Sequence, residues 1–318
     1  MMASIAVAGN QWITEYLVQT LARDGWTPAL LINLAPEAAA GVSGYRDLGA
    51  LARARGIPLH RPRTYGLESD ADRVALTGRT IDVLLVFGWQ RLIPAWLLDH
   101  CARGAYGIHG GPEKPPRCRG RAVFNWAILL GCSRFYLYLF RLTPTADAGE
   151  IVDMTEFTIT ADDDIVSVYH KNCVLAGRLI ARHLPSIVAG TVCGTPQPTS
   201  GATYLPRRKP EHGGIDWTAP VARVSNLVRA VAPPYPGAFT ELDGMVVIID
   251  RAHPFDRGIT YAAEPGTIVE VFPNGHFLVQ TGDGALYVRD YECPDRARVV
   301  AGRRFHVVSG VSVEDPAL

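Results

Sequence analysis

Along the first two thirds of the chain, apolar residues fall either in short unbroken runs or at helical spacing, and the two patterns alternate. "IAVAG" at 5–9 is an apolar run ending in glycine, and after it Ile13, Leu17 and Leu21 recur four apart, the spacing of one helix face. "PALLINL" from Pro28 predicts a second strand, and "YRDLGALARARG" a second helix closed by Gly56. "IDVLLVFG" at 81–88 is apolar enough for a strand buried on both faces of a parallel sheet. "WQRLIPAWLLDHC" reads as a helix with Pro94 near its first turn. "AYGIHGG" carries a short strand ending at Ile108, "RAVFNWAILLG" a helix, and "RFYLYLFRL" at 134–142 another buried strand. A long helix from Asp164 closes this part near Pro185. Strands alternating with helices through short connections predict a doubly wound, mainly parallel α/β sheet.

The pattern then changes. "TPQPTSGATYLPRRKPEHGG" from Thr195 is rich in Pro, Gly and Thr and reads as a connector, not a folded element. Past Asp216 comes one helix, "APVARVSNLVRAVA", then "PPYPGAFTEL" and the short β-like runs "MVVIIDRA", "GTIVEVF", "HFLVQTG", "ALYVRDYEC" and "RRFHVV". Short strands divided by turn residues suggest a small open β-barrel. The expected organisation is a larger domain over 1–194, a connector over 195–215 and a small barrel-like domain over 216–318.

Composition narrows the function classes. Lys and Arg number 31 against 31 Asp and Glu, so the formal net charge is zero and nothing in bulk suggests a polyanion partner. The six cysteines include no CxxC pair and no metal-ligand spacing, and read as reduced, mostly buried thiols. Without a charged segment leading into an apolar one at the start, or an apolar stretch of 18 residues, the chain is expected to be soluble, cytoplasmic and free of membrane contact.

The chemistry gathers around "GIHGGPEKPPRCRG" at 107–120. In open parallel sheets the ligand crevice lies at the carboxyl ends of the strands. His109 and Asp147 each follow a predicted strand. An imidazole can take and return a proton near neutral pH, and a carboxylate beside it would fix its tautomer and stabilise the charge it gains. Taken singly, His109 is equally a hydrogen-bonded strand-end residue and Asp147 a turn residue. Gly107, Gly110 and Gly111 would let a substrate approach the backbone closely. Arg117, Arg119 and Arg121 alternate along the loop, either as a clamp for an anionic group, as a lock on the loop, or as solvated surface. Phe135 and Tyr136 are expected in the core and pocket wall. The glycine turn "AGNQ" lacks the spacing of a dinucleotide fingerprint.

These motifs resemble the folate-dependent formyltransferase family, which includes methionyl-tRNA formyltransferase and enzymes that formylate amino sugars on nucleotide carriers. The family's Asn-x-His, Pro-x-x-Arg-Gly and Asp-x-Gly answer to Gly107 and His109, to Pro116, Arg119 and Gly120, and to Asp147 and Gly149. "ATYLPRRKPEHGGIDW" at 202–217 is similar to the family's connector, and "PPYPGAFTELDG" from Pro233 leans towards the sugar-modifying members. The resemblance implies a formyltransferase-like, Rossmann-type domain and N10-formyltetrahydrofolate as formyl donor. It places the pterin beside Phe87, Gly88, Trp89, Gln90, Arg91, Leu92, Ile93 and Pro94, implies a primary amine as acceptor with no metal, and leaves a homodimer open.

The chain departs from the family at the centre. Gly107 stands where the family has the Asn that holds the formyl carbonyl, the loop after His109 is longer, and "FYLY" at 135–138 replaces a Thr-Gly-x-Thr segment. Gly107 would leave an empty volume, with Phe135 and Tyr136 sealing one side. The balanced charge favours a small amine, an amino sugar among them, over transfer RNA. A hydrolase or altered one-carbon or acyl transferase using a related donor, and a non-catalytic folate or nucleotide-sugar binder, are the alternatives.

Overall fold

The computed structural model describes residues 3–198, 200–306 and 316. The first sheet has seven strands: β1 (Ile5–Ala8), β2 (Leu30–Ile32), β3 (Leu59–His60), β4 (Val83–Val86), β5 (Ala105–Gly111), β7 (Arg134–Arg141) and β8 (Ile151–Thr158), in the order β3-β2-β1-β4-β5-β7-β8. The first five run parallel; β7 is antiparallel to β5, and β8 antiparallel to β7, so β7 alone runs against the rest and the sheet is mixed. The turn of direction has a simple cause. Between β5 and β7 lies α5 (Val123–Leu129), a helix of 7 residues. It rises only about 10 Å, whereas returning along the 7 residues of β5 would need roughly 23 Å.

The remaining helices of this part are α1 (Trp12–Arg23), α2 (Gly49–Ala54), α3 (Asp70–Thr77), α4 (Ala95–His100) and α6 (Ile165–Ala189). Three expectations are corrected. Residues 89–93 are not helical; Pro94 is the N-cap of α4, so an irregular segment follows β4. β5 continues through His109 to Gly111, paired with β7, so His109 lies within a strand and opposes Tyr138. α6 runs through Pro185 and stops at Gly190 in the left-handed conformation. β3, α3 and β8 carry no signal strong enough to have been singled out; β8 alternates half-buried and exposed side chains along a sheet edge.

The connector is also more ordered than its composition suggests. β9 (Tyr204–Leu205) pairs in parallel with β6 (Arg119–Gly120), and Thr195 bridges to Ile151. After it come α7 (Val221–Ala230) and an antiparallel sheet of β10 (Ala238–Leu242), β11 (Met245–Pro254), β12 (Ile268–Val271), β13 (Phe277–Gln280) and β14 (Ala285–Glu292), ordered β10-β11-β14-β13-β12. The run "RRFHVV" is no strand over its described part: Arg304 bridges to Thr267 and His306 to Glu241, touching both sheet edges, while Val307 and Val308 lie outside the described residues.

Each face of the large sheet has its own apolar cluster, and the small sheet packs a third around Trp217, Phe277 and Phe305. Asn125 Nδ2 donates to Ala230 O at 2.8 Å, and Arg229 Nη1 to Thr160 O and Asp163 O at 2.9 and 2.8 Å, joining α7 to the larger part. The six cysteines are free, with Cys101, Cys118 and Cys173 buried. Among the described residues no helix is long and apolar enough to cross a membrane.

Candidate active site

The carboxyl ends of β1, β4 and β5 open onto two adjoining cavities, of about 780 and 550 Å³, and Gln11, Trp89, Gln90 and His109 border both. This is the crevice where strand order reverses beside β1. Its floor is set by close packing. Thr14 Oγ1 donates to Phe87 O at 2.6 Å, and Gly9 is required because a Cβ there would lie 1.9 Å from the same carbonyl oxygen. The "AGNQ" turn therefore serves strand packing.

His109 and Asp147 are brought together. His109 Nε2 lies 3.2 Å from Cys118 O and 3.7 Å from Asp147 Oδ2, with the two side chains 12% and 21% exposed. A carbonyl oxygen only accepts, so Nε2 carries the ring's hydrogen. In the neutral imidazole Nδ1 is then the basic atom, and it has no protein partner among the described residues. Tyr138, opposite on β7, packs its edge against the ring, centroids 5.8 Å apart. Burial, and then the charge of Asp147, push the Tyr138 phenol far above its ordinary pKa, so it stays neutral.

Asp147 is held from two sides. Gly120 N donates to its Oδ2 at 3.0 Å, and Gln197 Nε2 donates to the carbonyls of Asp147 and Gly149 at 2.9 and 2.8 Å. Its backbone is left-handed, φ 52°, a conformation Asp tolerates better than most residues. Arg119, only 6% exposed, extends the bracing: Nη2 donates to Gln197 Oε1 at 2.9 Å. Arg119 thus sits where it braces the loop, and it borders neither cavity. Arg117 is exposed and borders neither cavity. The loop itself is pinned to the connector, with Cys118 N donating to Thr203 Oγ1, Arg119 N to Thr203 O and Arg121 N to Leu205 O.

Other expectations change. Phe135 is fully buried between Phe124 and Phe157, stacked on both, and Tyr136 lies under Lys114; neither borders a cavity. A Cβ on Gly110 would lie 2.2 Å from Tyr136 O, and one on Gly111 2.4 Å from Cys118 Cβ, so internal packing requires both glycines. Gly107 borders the larger cavity, but a Cβ there would stand 3.1 Å from Leu142 Cδ2, 3.3 Å from Val86 O and 3.5 Å from Phe140 Cε1. The space beside Gly107 is thus walled by Leu142 and Phe140, not by Phe135 and Tyr136.

Of the segment after β4, Trp89 to Ile93 border the larger cavity and Phe87 to Gln90 the smaller; Pro94 borders neither. Tyr65, absent from the sequence reading, holds this segment: its hydroxyl accepts from Gln90 N at 3.0 Å, its ring meets Trp89 edge-on at 5.0 Å, and Arg91 lies 4.8 Å above it. Arg91, Arg121 and Arg207 all border the larger cavity. Burial, and then the charges of Arg207 and Arg91, lower the pKa of Arg121, as expected for cations gathered at one site. Gln197 and Arg207 come from the stretch read as a connector, and Tyr65 from a segment with no period strong enough to read.

Comparison with known proteins bears on this geometry. Residues 207–304 match the family described as "Formyl transferase, C-terminal domain". Over these residues the chain is similar to a formyl transferase C-terminal domain. The resemblance read from the sequence thus holds, and the fold agrees along most of the chain. HypX from Aquifex aeolicus, solved in complex with tetrahydrofolic acid, is similar with a TM-score of 0.63 and 18% identity, over 93% of this chain but 45% of HypX, so the chain spans under half of that protein. The N-formyltransferase from Helicobacter canadensis, in complex with folinic acid and dTDP-3-aminofucose, has a TM-score of 0.64 and 14% identity, over 92% of this chain and 100% of that one. A sugar N-formyltransferase from Shewanella sp. has a TM-score of 0.60 and 16% identity, over 80% and 99%.

Proposed function

We propose that this protein is an N-formyltransferase that moves the formyl group of N10-formyltetrahydrofolate to the primary amine of a small molecule. The observation that carries the reading is His109, placed between two cavities with Nδ1 unengaged and Nε2–H facing Asp147 and Cys118 O. The donor is a second substrate, consumed in each turnover. The residues offered for it are Trp89 to Ile93, whose irregular backbone supplies polar groups beside apolar walls. We take residues 1–194 as the catalytic domain, 195–215 as its connector and 216–318 as a small open barrel, and assign the reaction to the cytoplasm.

The neutral amine attacks the formyl carbon, forming a C–N bond while the carbonyl becomes an oxyanion. His109 Nδ1 accepts the ammonium proton of the adduct. Asp147 and Cys118 O, facing Nε2–H, stabilise the resulting imidazolium. As the bond from the formyl carbon to N10 breaks, the oxyanion reforms the carbonyl and His109 returns the proton to N10, releasing tetrahydrofolate and the formylated amine. Leu142 and Phe140 beside Gly107 restrict the room for water, which favours transfer over hydrolysis. Arg91, Arg121 and Arg207 suit an anionic end, the folate's glutamyl carboxylates or the phosphates of a nucleotide-linked amino sugar. With a formal net charge of zero, a small ligand is favoured over transfer RNA. The test follows folate absorbance and formate together. Without an amine, little formate should appear; with a suitable amine, tetrahydrofolate and formylated product should form in equal amounts. Rapid formate release without acceptor would identify a hydrolase instead.

A further inference from the structure

Resting on that reading, we infer that the smaller cavity is the acceptor chamber, and that it takes an amine carried on an uncharged, largely apolar or aromatic body. The two cavities differ in electrostatic character. The larger one collects Arg91, Arg121, Arg207, Arg208 and Lys209 beside the single carboxylate of Asp147. Apart from His109, the one charged side chain bordering the smaller one is Arg46, exposed like Arg91, Arg207 and Lys209, so the two cavities differ in the number of cations they offer. Its walls are Trp12, Ile13, Phe87, Trp89, Phe124 and Leu137.

The partition matters because a diphosphate attached close to the reacting amine would have to enter a space that offers it almost no cation. Burying such charges without partners is costly, whereas burying hydrocarbon is favourable. The chamber also has polar atoms to spare. Trp89 Nε1, a donor, and Asn172 Oδ1, an acceptor, are buried without a protein partner, and both residues border this cavity. One donor and one acceptor among aromatic walls suit a neutral body bearing at most a few polar groups. Tyr169 and Tyr235, whose hydroxyls are 2.5 Å apart, bridge α6 to the segment after α7 and border both cavities. An amine seated in this chamber meets His109, which borders it.

The experiment measures kcat/KM for a series of unbranched alkylamines and for 2-phenylethylamine, beside a nucleotide-linked amino sugar. Each methylene buried should raise kcat/KM about fourfold until the chamber is filled. Val166→Trp, at an exposed position bordering the chamber, should lower kcat/KM for the longest amines at least tenfold while the donor's Kd stays within twofold; Cys173→Phe, which fills the chamber from α6, should act alike. Transfer to the amino sugar with no dependence on alkyl length would overturn the inference and leave the formyltransferase reading intact. If no amine is formylated, that reading fails, and calorimetry decides the inference separately. Binding that tightens with chain length and weakens in Val166→Trp supports the chamber, and no such trend refutes it.

Discussion

His109 Nε2 stands 3.7 Å from Asp147 Oδ2, beyond hydrogen-bond range, while the Cys118 carbonyl holds the same nitrogen at 3.2 Å. The carbonyl fixes the tautomer, so the carboxylate is left to stabilise the charged ring. Removing each should have different effects. His109→Asn eliminates the base and should cut the single-turnover rate by roughly 10²–10⁴. Asp147→Asn keeps the tautomer and should cost less. Calorimetric Kd values for the donor should change little in either. Near-wild-type turnover in His109→Asn would remove the imidazole from the mechanism.

Gln197 lies far from the site in sequence, yet its amide donates to two carbonyls of the Asp147 loop and its oxygen receives Arg119. Gln197→Ala should leave those groups unpaired and cost about 1–3 kcal/mol of stability. Because Asp147 is then less firmly placed, kcat should fall with little change in KM for the amine. Gln197→Glu would bring an acceptor against two carbonyls and should be worse than Ala. Denaturant melts and steady-state kinetics on both variants check this; a kcat equal to wild type in Gln197→Ala would mean that Asp147 needs no bracing.

Asp163 is 6% exposed, and burial alone would raise its pKa; hydrogen bonds from Lys171, Thr160 and Ser167 outweigh burial and hold it below the usual carboxylate value. A depressed folded-state pKa means stability that is present above the unfolded value, about 3.9, and lost as pH falls through the folded value. Asp163 also anchors α7, since Arg229 donates to its carbonyl. Asp163→Asn should be less stable than wild type by about 1–3 kcal/mol at pH 7, and the gap should shrink below pH about 4. Urea melts at both pH values measure it, and a gap that does not change with pH would assign the effect to packing.

What the sequence made legible was what has a strong local period. The apolar runs of β1 and β4 and the spacing of α1 identified the α/β core, and strand-end logic brought His109 and Asp147 together. The direction of β7 was not legible, because it depends on the short length of α5. The 89–93 segment reads as helix by its apolar spacing; tertiary contacts with Tyr65 give it another conformation. The connector reads as unstructured by composition, yet β9 and Gln197 are ordered through pairing with β6 and through the Asp147 loop, contacts that span 78 residues in sequence between Arg119 and Gln197. Phe135 and Tyr136 do not wall the space beside Gly107 because the antiparallel register sets Gly107 opposite Phe140 and Gly111 opposite Tyr136; it is Phe140, with Leu142 just beyond the strand, that flanks Gly107.

An Asn at position 107 would restore the amide that the family resemblance expects near the formyl oxygen. Its Cβ would press on Leu142 Cδ2 at 3.1 Å and on Val86 O at 3.3 Å, and the backbone oxygen of a buried strand cannot move aside easily. Gly107→Asn alone should therefore cost roughly 1–3 kcal/mol of stability through overpacking. Pairing it with Leu142→Ala should relieve the first contact and recover much of that loss. Leu142→Ala by itself opens the wall to water and should raise formate release in the absence of amine. In the double variant the added donor can contribute up to roughly 2.7–4 kcal/mol to the oxyanion, so its kcat should exceed that of Leu142→Ala, and formate release should fall back as the amide fills the space. A double variant slower than Leu142→Ala in both reactions would show that this site stabilises the oxyanion from another direction.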